Sequence, residues 1–534
     1  MSYLASAISS LQSAKRISQG TTSSESQRQR CASFSCYDCC ASNTSHSNSP
    51  HTASIHILDD DSLLHIFYLY RPFILPEDQD DDVRLTTVEP WLGERWWYKI
   101  AHVCQRWRNV ILGSASFLRL SLLCTVGTPV ADMLGHSPAL PLVIDYAFSR
   151  DWDVTADEEG IILALEQRDR ICRIRLGMSI TNLQNFIVAI NDEYPILECL
   201  IIMHMMEDKS TILKLPETFQ APHLRHLRLI SFSLPVGSRL LTTAAGLVTI
   251  FLIMGHPSTY FHPNALLQWL SLAPQLKTLV ITYLLPVPKR DVERQLMHTP
   301  ILMPVTLPNL NCFRFRGASN YLEALVCRIT APRLKILQIR FFNQLMFPTP
   351  RLLQFINTTE TLGFDSAKFK FFRGLVSVRV YLRGEDEMYA LAIMVECGHL
   401  DWQVSSVAQI VNASCQVFSA VEHLTLEHEE HNLSSDEHNE VDRTEWYKLL
   451  TSFSNVKTIR IDNGLVEGLS RALELDDEVL PLQLLPELQE LTYFGSSITG
   501  NAFTSFIDAR QNTDHPITVV RRSPSPDPKS SVIP

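Results

Sequence analysis

Two clusters of side chains have the residue types that bind metal ions. The first is HLTLEHEEHNLSSDEH, in which histidines lie among acidic residues, around His423, His428 and His431. The second holds four cysteines: Cys31, Cys36, Cys39 and Cys40. Imidazole, carboxylate and thiolate are common metal ligands, but a zinc site needs two spaced pairs, which neither cluster has. A polar loop explains the histidines more simply, and we expect no metal site.

Local signatures of catalysis are missing from the chain. The sequence contains no GxSxG, no GxGxxG, no phosphate-binding GxxxxGK[ST] and no HExxH. These patterns position a nucleophile, a dinucleotide, a phosphate or a zinc-bound water. We therefore expect a protein that is not an enzyme and needs no cofactor. An enzyme of unfamiliar fold is the alternative, and a deep pocket with an acid, a base and a nucleophile would identify it.

Composition and charge favour an intracellular protein that binds other proteins. Of the 534 residues, 46% are hydrophobic, and the net charge of −11 disfavours nucleic acid as a partner, since that needs a clustered positive surface. The twelve cysteines are mostly scattered and there is no secretory signal, which indicates reduced thiols in the cytoplasm or nucleus. The apolar run LLTTAAGLVTIFLIM, from Leu240, is too short to span a membrane, so we expect no membrane partner.

Two segments on either side of an acidic insertion have the pattern of amphipathic helices. In ILDDDSLLHIF, from Ile57, apolar residues follow three aspartates, which suit the positive end of a helix dipole, and Asp59 is a natural N-cap. In WYKIAHVCQRWRNVIL, from Trp97, apolar residues recur at spacings of three and four: Ile100, Val103, Cys104, Trp107 and Ile111. Neither helix could bury its apolar stripe alone.

These two segments resemble the F-box, the helical module that docks a substrate receptor onto the Skp-type adaptor of a cullin-based ubiquitin ligase. The family's opening Leu-Pro-x-Glu reads Leu-Asp-Asp-Asp here, with Asp59 in place of the proline, and the later VCQRWRNVI fits its V-C-x-x-W-R-x-x-I pattern. Further segments, such as LDWQVSSVAQIVNAS at 400–414 and TEWYKLLTSFSNVKTIRI at 444–461, are similar to F-box proteins of basidiomycete fungi, and the resemblance spans most of residues 55–520. The resemblance implies nine adaptor-binding residues: Leu58, Leu63, Leu64, Ile66, Phe67, Val103, Cys104, Trp107 and Arg108.

The resemblance also implies a function. Such a chain would be the substrate-recognition subunit of an SCF-type ubiquitin ligase, with a Skp-type adaptor and a cullin at one end and an unknown protein client at the other. For Trp107 and Ile111, packing in the core of the module itself is as good an explanation as adaptor binding. The alternative function is that of a non-catalytic scaffold, whose F-box-like helices only cap a series of repeats.

A short phrase repeats through the rest of the chain. It reads ICRIRL at 171, LECLII at 197, LRHLRL at 224, LVTIFL at 247, LKTLVI at 276, LNCFRF at 310, LKILQI at 334, VEHLTL at 421, VKTIRI at 456 and LQELTY at 488. The first six intervals run from 23 to 34 residues, near the period of about 20 to 29 of leucine-rich repeats. The asparagine that usually ends the phrase is absent. We therefore predict an α/β fold, an N-terminal helical F-box-like module followed by an irregular leucine-rich-repeat solenoid.

The repeat phrase also predicts a binding face. A repeat strand would direct positions one, four and six inward, and positions three, five, seven and eight toward a concave surface. This rule exposes five basic residues as the candidate client-binding face: His226, Arg228, Arg314, Arg316 and Arg340. Guanidinium groups bind carboxylate or phosphate oxygens in pairs. Thr278, Val280 and Thr282 interrupt the row, and a merely solvated face is the alternative.

Changes in composition predict the domain boundaries. Residues 1–53 form a disordered serine-rich segment, residues 54–125 the helical module with its acidic insertion at 76–94, residues 126–515 the solenoid, and residues 516–534 a Pro/Ser-rich tail. The repeat register is hard to follow between residues 340 and 420. There, Leu375, Val378 and Val380 fit one strand, and LAIMVEC fits part of another.

Overall fold

The computed structural model describes residues 58–70, 96–146, 157–204, 213–235, 237–256, 261–285, 304–344, 346–347, 349–359, 364–381, 389–429, 441, 443–474, 484–494, 502–513 and 515–522. Leu58 and Asp59 belong to a first unit that ends at Asp59, and all the other described residues belong to a second, Asp60–Pro534. The predicted disordered segment 1–53, the acidic insertion at 76–94 and residues 523–534 lie outside the described residues.

Helices precede the first strand of the second unit and then alternate with strands. The first four are α1 Asp60–Tyr70, α2 Trp96–Ala101, α3 Gln105–Gly113 and α4 Ala115–Leu118. The later helices are α5 Val130–His136, α6 Glu158–Leu165, α7 Ile180–Ala189, α8 Arg239–Thr243, α9 Pro263–Ser271, α10 Ser319–Val326, α11 Pro350–Asn357, α12 Leu400–Ala413, α13 Cys415–Phe418, α14 Arg443–Leu450, α15 Asn463–Leu473 and α16 Thr504–Gln511. Most are short and one-sided, as α11 shows by burying Leu352, Phe355 and Ile356.

The strands are short as well. The first ten are β1 Leu122–Thr125, β2 Leu142–Tyr146, β3 Ile171–Met178, β4 Cys199–His204, β5 Leu213–Lys214, β6 His226–Ile230, β7 Phe232–Ser233, β8 Thr249–Met254, β9 Thr278–Tyr283 and β10 Val305–Thr306. The others are β11 Cys312–Gly317, β12 Ile329–Thr330, β13 Ile336–Phe341, β14 Ser366–Phe372, β15 Leu375–Tyr381, β16 Tyr389–Val395, β17 His423–His428, β18 Thr458–Ile461, β19 Glu490–Phe494 and β20 Thr518–Arg522.

Sixteen of these strands form one sheet. Their order is β1-β2-β3-β4-β6-β8-β9-β11-β13-β16-β15-β14-β17-β18-β19-β20, while β5 pairs with β7 and β10 pairs with β12. Neighbours in the large sheet run parallel, except that β15 is antiparallel to both β14 and β16. The predicted α/β class is therefore confirmed, in the form of a large and mostly parallel sheet with helices between its strands.

The repeat phrase sets the register of the sheet. All ten phrases lie on its strands. Leu227, at position four, lies between Leu200 and Ile250 of the neighbouring strands, and all three are at most 1% exposed. Since side chains alternate along a strand, positions three, five and seven lie on the opposite side, which we call the outward face. The prediction for position eight is wrong, because the alternation continues and buries the residues there: Met254, Tyr283 and Phe341.

The region between residues 340 and 420 contains an antiparallel meander. β14 and β15 are joined by Arg373 and Gly374, and Gly374 has a φ of +139°, which residues with a side chain rarely adopt. β15 turns back to β16, and β16 pairs parallel with β13. β14 in turn pairs parallel with β17, so the sheet continues in its original direction. The predicted strands at Val378 and at LAIMVEC correspond to β15 and β16.

The sheet is longer at both ends than the predicted solenoid. β1 lies in the segment that we assigned to the helical module, and β20 lies in the segment that we assigned to the tail. β20 pairs with β19 from Thr518, beside Glu490, to Arg522, beside Phe494. Its sequence, TVVRR, has too few apolar residues to distinguish it from a solvated tail.

The apolar run LLTTAAGLVTIFLIM, from Leu240, divides between two elements. It begins in α8 and ends in β8, whose side chains are alternately buried and half-buried. None of the helices in the described part of the chain has the length and apolar character needed to cross a bilayer.

Candidate functional site

Helices α1 and α3 pack through an aromatic contact. α1 begins at Asp60, and its first turn carries two aspartates, whose charges favour the helix N-terminus. Leu63 and Phe67 are its buried residues, at 0% and 1% exposure. The Phe67 ring meets the Trp107 ring of α3 edge-on, with the centroids 5.1 Å apart. The core of the helical segment therefore includes residues that the resemblance assigns to adaptor binding.

The nine predicted adaptor residues differ in exposure. Leu63 and Phe67 are buried, whereas Ile66 and Val103 are 43% and 58% exposed. Four are half-buried: Leu58, Leu64, Cys104 and Trp107. Arg108 is exposed, and its Nε donates a hydrogen bond to the Ala101 carbonyl at 3.1 Å. Ile66 and Val103 are thus the apolar members of the set most accessible to a partner.

Other exposed apolar residues lie on the same helices. Tyr68, Leu69 and Tyr70 follow Phe67, and Phe117 of α4 packs its ring 5.4 Å from that of Tyr68. Together with the two accessible adaptor residues they form the helical apolar surface: Ile66, Tyr68, Leu69, Tyr70, Val103 and Phe117. These six are half of the twelve large apolar side chains that are exposed among the described residues. The sequence LLHIFYLY could have indicated these exposed residues, because a helix that is apolar on all sides cannot bury every side against one neighbour.

A polar groove lies between α1 and α3. It has a volume of about 440 Å³ and is lined by Asp60, Gln105, Arg106, Asn109 and Val110. Nη2 of Arg106 is 2.8 Å from the Asp60 carboxylate, so the one carboxylate of the groove is paired. This lining does not have the acid, base and nucleophile that would identify an enzyme.

The predicted client-binding residues lie on the outward face of β6, β11 and β13. Arg316 lies directly beside Arg340 in the register of β11 and β13. Arg228 is three strands from Arg314, with Phe251 and Val280 between them. At about 4.8 Å per strand, this puts about 14 Å between the backbones of Arg228 and Arg314. The structure therefore brings Arg316 and Arg340 together, with Arg314 two positions away on β11, and leaves Arg228 and His226 apart from them.

A carboxylate that the sequence analysis overlooked joins the two neighbouring arginines. Oε1 of Glu396, just after β16, is 2.8 Å from Nη2 of Arg316 and 2.7 Å from Nε of Arg340. These three side chains remain between 25% and 35% exposed. The contact could not be read from the sequence because β16 reaches β13 only through the meander. An acidic client group would share these arginines with Glu396.

Buried thiols of the sheet are not nucleophiles. Burial raises the pKa of Cys124 to about 12, and burial likewise raises the pKa of Cys397 to about 12. Both groups are therefore protonated at neutral pH, and the thiol form is a poor nucleophile and metal ligand.

The histidine cluster lies on a strand where a loop was expected. His423 and His428 are the ends of β17, and His431 lies outside the described residues. Nδ1 of His423 is 2.8 Å from Oγ1 of Thr458 on β18. Within the described ranges, no group of three or more histidine, cysteine or acidic side chains is placed to hold a metal ion.

Comparison with known proteins identifies no family. No protein-family model matches the chain, and a search of the curated proteins finds no match either.

Proposed function

We propose that this protein is the substrate-recognition subunit of an SCF-type cullin ubiquitin ligase. The observation that carries the proposal is the exposure of Ile66 and Val103, one in each of the two segments that resemble an F-box, beside the other residues of the helical apolar surface. A concentration of exposed apolar side chains in one segment of a chain is typical of protein interaction sites. A Skp-type adaptor would cover Ile66 and Val103, with Leu63, Phe67 and Trp107 holding the helices in place beneath.

The proposal assigns the sheet to the client. We infer that its strands and connecting helices form an irregular leucine-rich-repeat solenoid, because one phrase recurs on successive parallel strands at intervals near the repeat period. The outward face would hold a client while the adaptor and cullin bring activated ubiquitin close to its lysines. The chain then acts by raising effective concentration, without a catalytic group or cofactor of its own, in the cytoplasm or nucleus.

Co-purification from the native cell tests the adaptor end. The double variant Ile66→Asp/Val103→Asp buries charge in the proposed interface and should reduce recovery of adaptor and cullin at least about ten-fold. Val188→Asp/Met346→Asp is the matched control, since both residues are exposed, at 71% and 76%, and lie elsewhere. Control recovery should equal that of the wild type. Adaptor recovery that is unaffected by Ile66→Asp/Val103→Asp would contradict the proposal.

A scaffold without an adaptor is the second candidate. It is favoured by the packing of the helices against the beginning of the sheet, where Nε1 of Trp97 donates to the Ser121 carbonyl at 3.2 Å, next to β1. Leu118 of α4 is also fully buried. In that case the helices would cap the sheet, and wild-type protein would be purified without adaptor and cullin.

A further inference from the structure

A row of residues lies along one rim of the large sheet, just before the strands β6, β8, β9, β11 and β13. Its members are Arg225, Val248, Lys277, Asn311 and Lys335. The backbone N–H of each later member donates to the carbonyl of the member before it, at 2.8 Å. The five residues therefore lie side by side at the strand spacing of about 4.8 Å, over a length of about 19 Å.

The segments that lead into these strands are basic. They read APHLR, AAGLV, APQLK, LPNLN and APRLK, and together they contain four arginines and lysines but no acidic residue. Three of the four belong to the row and are exposed, and we call them the basic rim: Arg225, Lys277 and Lys335. In the part of the chain that the structure describes, their side chains have no hydrogen-bonded or ionic partner. By contrast, Nζ of Lys457, at the same position before β18, is 2.9 Å from the Glu422 carboxylate.

The basic rim is accessible to a partner. Every residue of the five segments is described, and three others that lie two positions earlier in the chain are exposed or polar as well: His223, Gln275 and Arg333. The arginines of the outward face differ, because they contact other side chains of the protein. The guanidinium of Arg228, for example, lies 4.3 Å from the centroid of the Phe251 ring. The cations of the rim are thus available to an external anion.

The cations of the basic rim recur on every second strand of the row. Two strand spacings put about 9.6 Å between their backbones. A polyproline II helix has three residues per turn and a rise of about 3.1 Å per residue, so side chains on one side recur every 9.3 Å or so. Side chains on one side of a β-strand recur at about 6.6 Å, and an α-helix returns to the same side after seven residues, or about 10.5 Å. The spacing of the rim is closest to that of polyproline II.

We propose that the basic rim binds an acidic, proline-rich segment of a partner protein, with a carboxylate at every third residue. Each carboxylate pairs with one cation of the rim, and the guanidinium of Arg225 can bind both oxygens of its carboxylate. Prolines hold the segment in the polyproline II form before it binds, which reduces the conformational entropy lost on binding. The site goes beyond the proposed function, because it belongs neither to the helical apolar surface nor to the outward face.

A nucleic acid fits the basic rim less well than a peptide. Duplex DNA carries one negative charge per 1.7 Å or so of its axis, and binding it requires many closely spaced cations. Three cations over about 19 Å neutralise few phosphates. The net charge of −11 also repels a long polyanion more strongly than a short peptide.

Fluorescence anisotropy with labelled synthetic peptides tests this proposal on the purified full-length protein. The periodic peptide is EPPEPPEPPEPP, and the block peptide EEEEPPPPPPPP has the same composition with its glutamates consecutive. The test variant is Lys277→Glu/Lys335→Glu. The control is Lys214→Glu/Lys448→Glu, which makes the same change of charge at exposed lysines outside the rim. Thermal melting checks folding, and Lys277→Gln/Lys335→Gln replaces the test variant if that variant is unfolded.

We expect the wild type to bind the periodic peptide at least about three-fold more tightly than the block peptide in about 50 mM NaCl, where exposed charges are weakly screened. Affinity for the periodic peptide should fall at least about ten-fold in the test variant, about three-fold in the glutamine variant and less than about two-fold in the control.

Four results would overturn the proposal: no binding of the periodic peptide, block-peptide binding that is equal or tighter, equal losses in test and control variants, or displacement of the periodic peptide by a twenty-nucleotide oligo(dT). None of these measurements involves the adaptor, so failure of this site is distinct from failure of the proposed function.

Discussion

At the scale of single residues, Arg510 of α16 is a buried charge held by backbone carbonyl groups. It is fully buried, and its Nη2 donates to the carbonyls of Leu485, at 2.7 Å, and Leu488, at 3.3 Å. Leu485 has a φ of +52°, in the left-handed region that residues with a side chain rarely occupy. Arg510 therefore satisfies the carbonyl groups of a strained segment that leads into β19. These partners are distant in sequence, so the sequence alone does not reveal the contact.

Replacing Arg510 should destabilise the end of the sheet. Arg510→Met leaves buried carbonyl groups without their donor, and we expect the free energy of unfolding to fall by about 2 to 4 kcal/mol. Arg471→Met is the matched control, since Arg471 is an exposed partner of Glu467 and should contribute less than about 0.5 kcal/mol. Urea unfolding followed by circular dichroism measures both. Equal midpoints for the two variants would show that the burial of Arg510 does not stabilise the fold.

At the scale of elements, α10 caps the N-terminus of α11. The Glu323 carboxylate of α10 accepts hydrogen bonds from the backbone N–H groups of Arg351, at 2.9 Å, and Leu352, at 2.8 Å, in the first turn of α11. α11 begins with Pro350, which fixes φ but provides no N–H. A side chain of the preceding helix thus replaces a local cap.

This contact predicts a pH dependence of stability. Burial raises the pKa of Glu323, and the two backbone N–H groups counteract this only in part. The folded state then binds more protons than the unfolded state between the ordinary and the raised pKa, so this contribution to stability falls as pH rises through that interval. The unfolding free energy of wild type minus that of Glu323→Gln should therefore decrease as the pH rises above the ordinary glutamate pKa of 4.5. A difference that is constant, or that increases with pH, would contradict the assignment.

Elements were predictable where the pattern was local. The phrase with apolar residues at positions one, four and six identified ten strands, because the residues at positions four and six are buried in each of them. In the meander, the strands β15 and β16 were predicted, whereas β14 and the antiparallel pairing were not, since the alternation resembles that of any strand and only Gly374 marks the turn. β20 was assigned to a tail because two valines among polar residues carry too little apolar signal. The contact of Glu396 with Arg316 depends on that meander and is non-local for the same reason.

At the scale of the whole molecule, apolar and charged residues are distributed unevenly. Half of the exposed large apolar side chains of the described residues lie on the helices before β1, and the strands of the sheet are basic although the chain carries a net charge of −11. Sequence reasoning identified Ile66, Val103 and the arginines. A receptor with an adaptor end and a client end accounts for both features.

The adaptor end is the central claim, and a calorimetric titration tests it most directly. Purified Skp-type adaptor from the native organism is titrated into the purified full-length chain, with Ile66→Asp/Val103→Asp titrated in parallel. The account predicts one-to-one binding with a Kd of about 1 μM or lower for the wild type and at least about a hundred-fold weaker binding for the variant. Absence of binding to the wild type at about 100 μM adaptor, or equal affinity of both proteins, would contradict it.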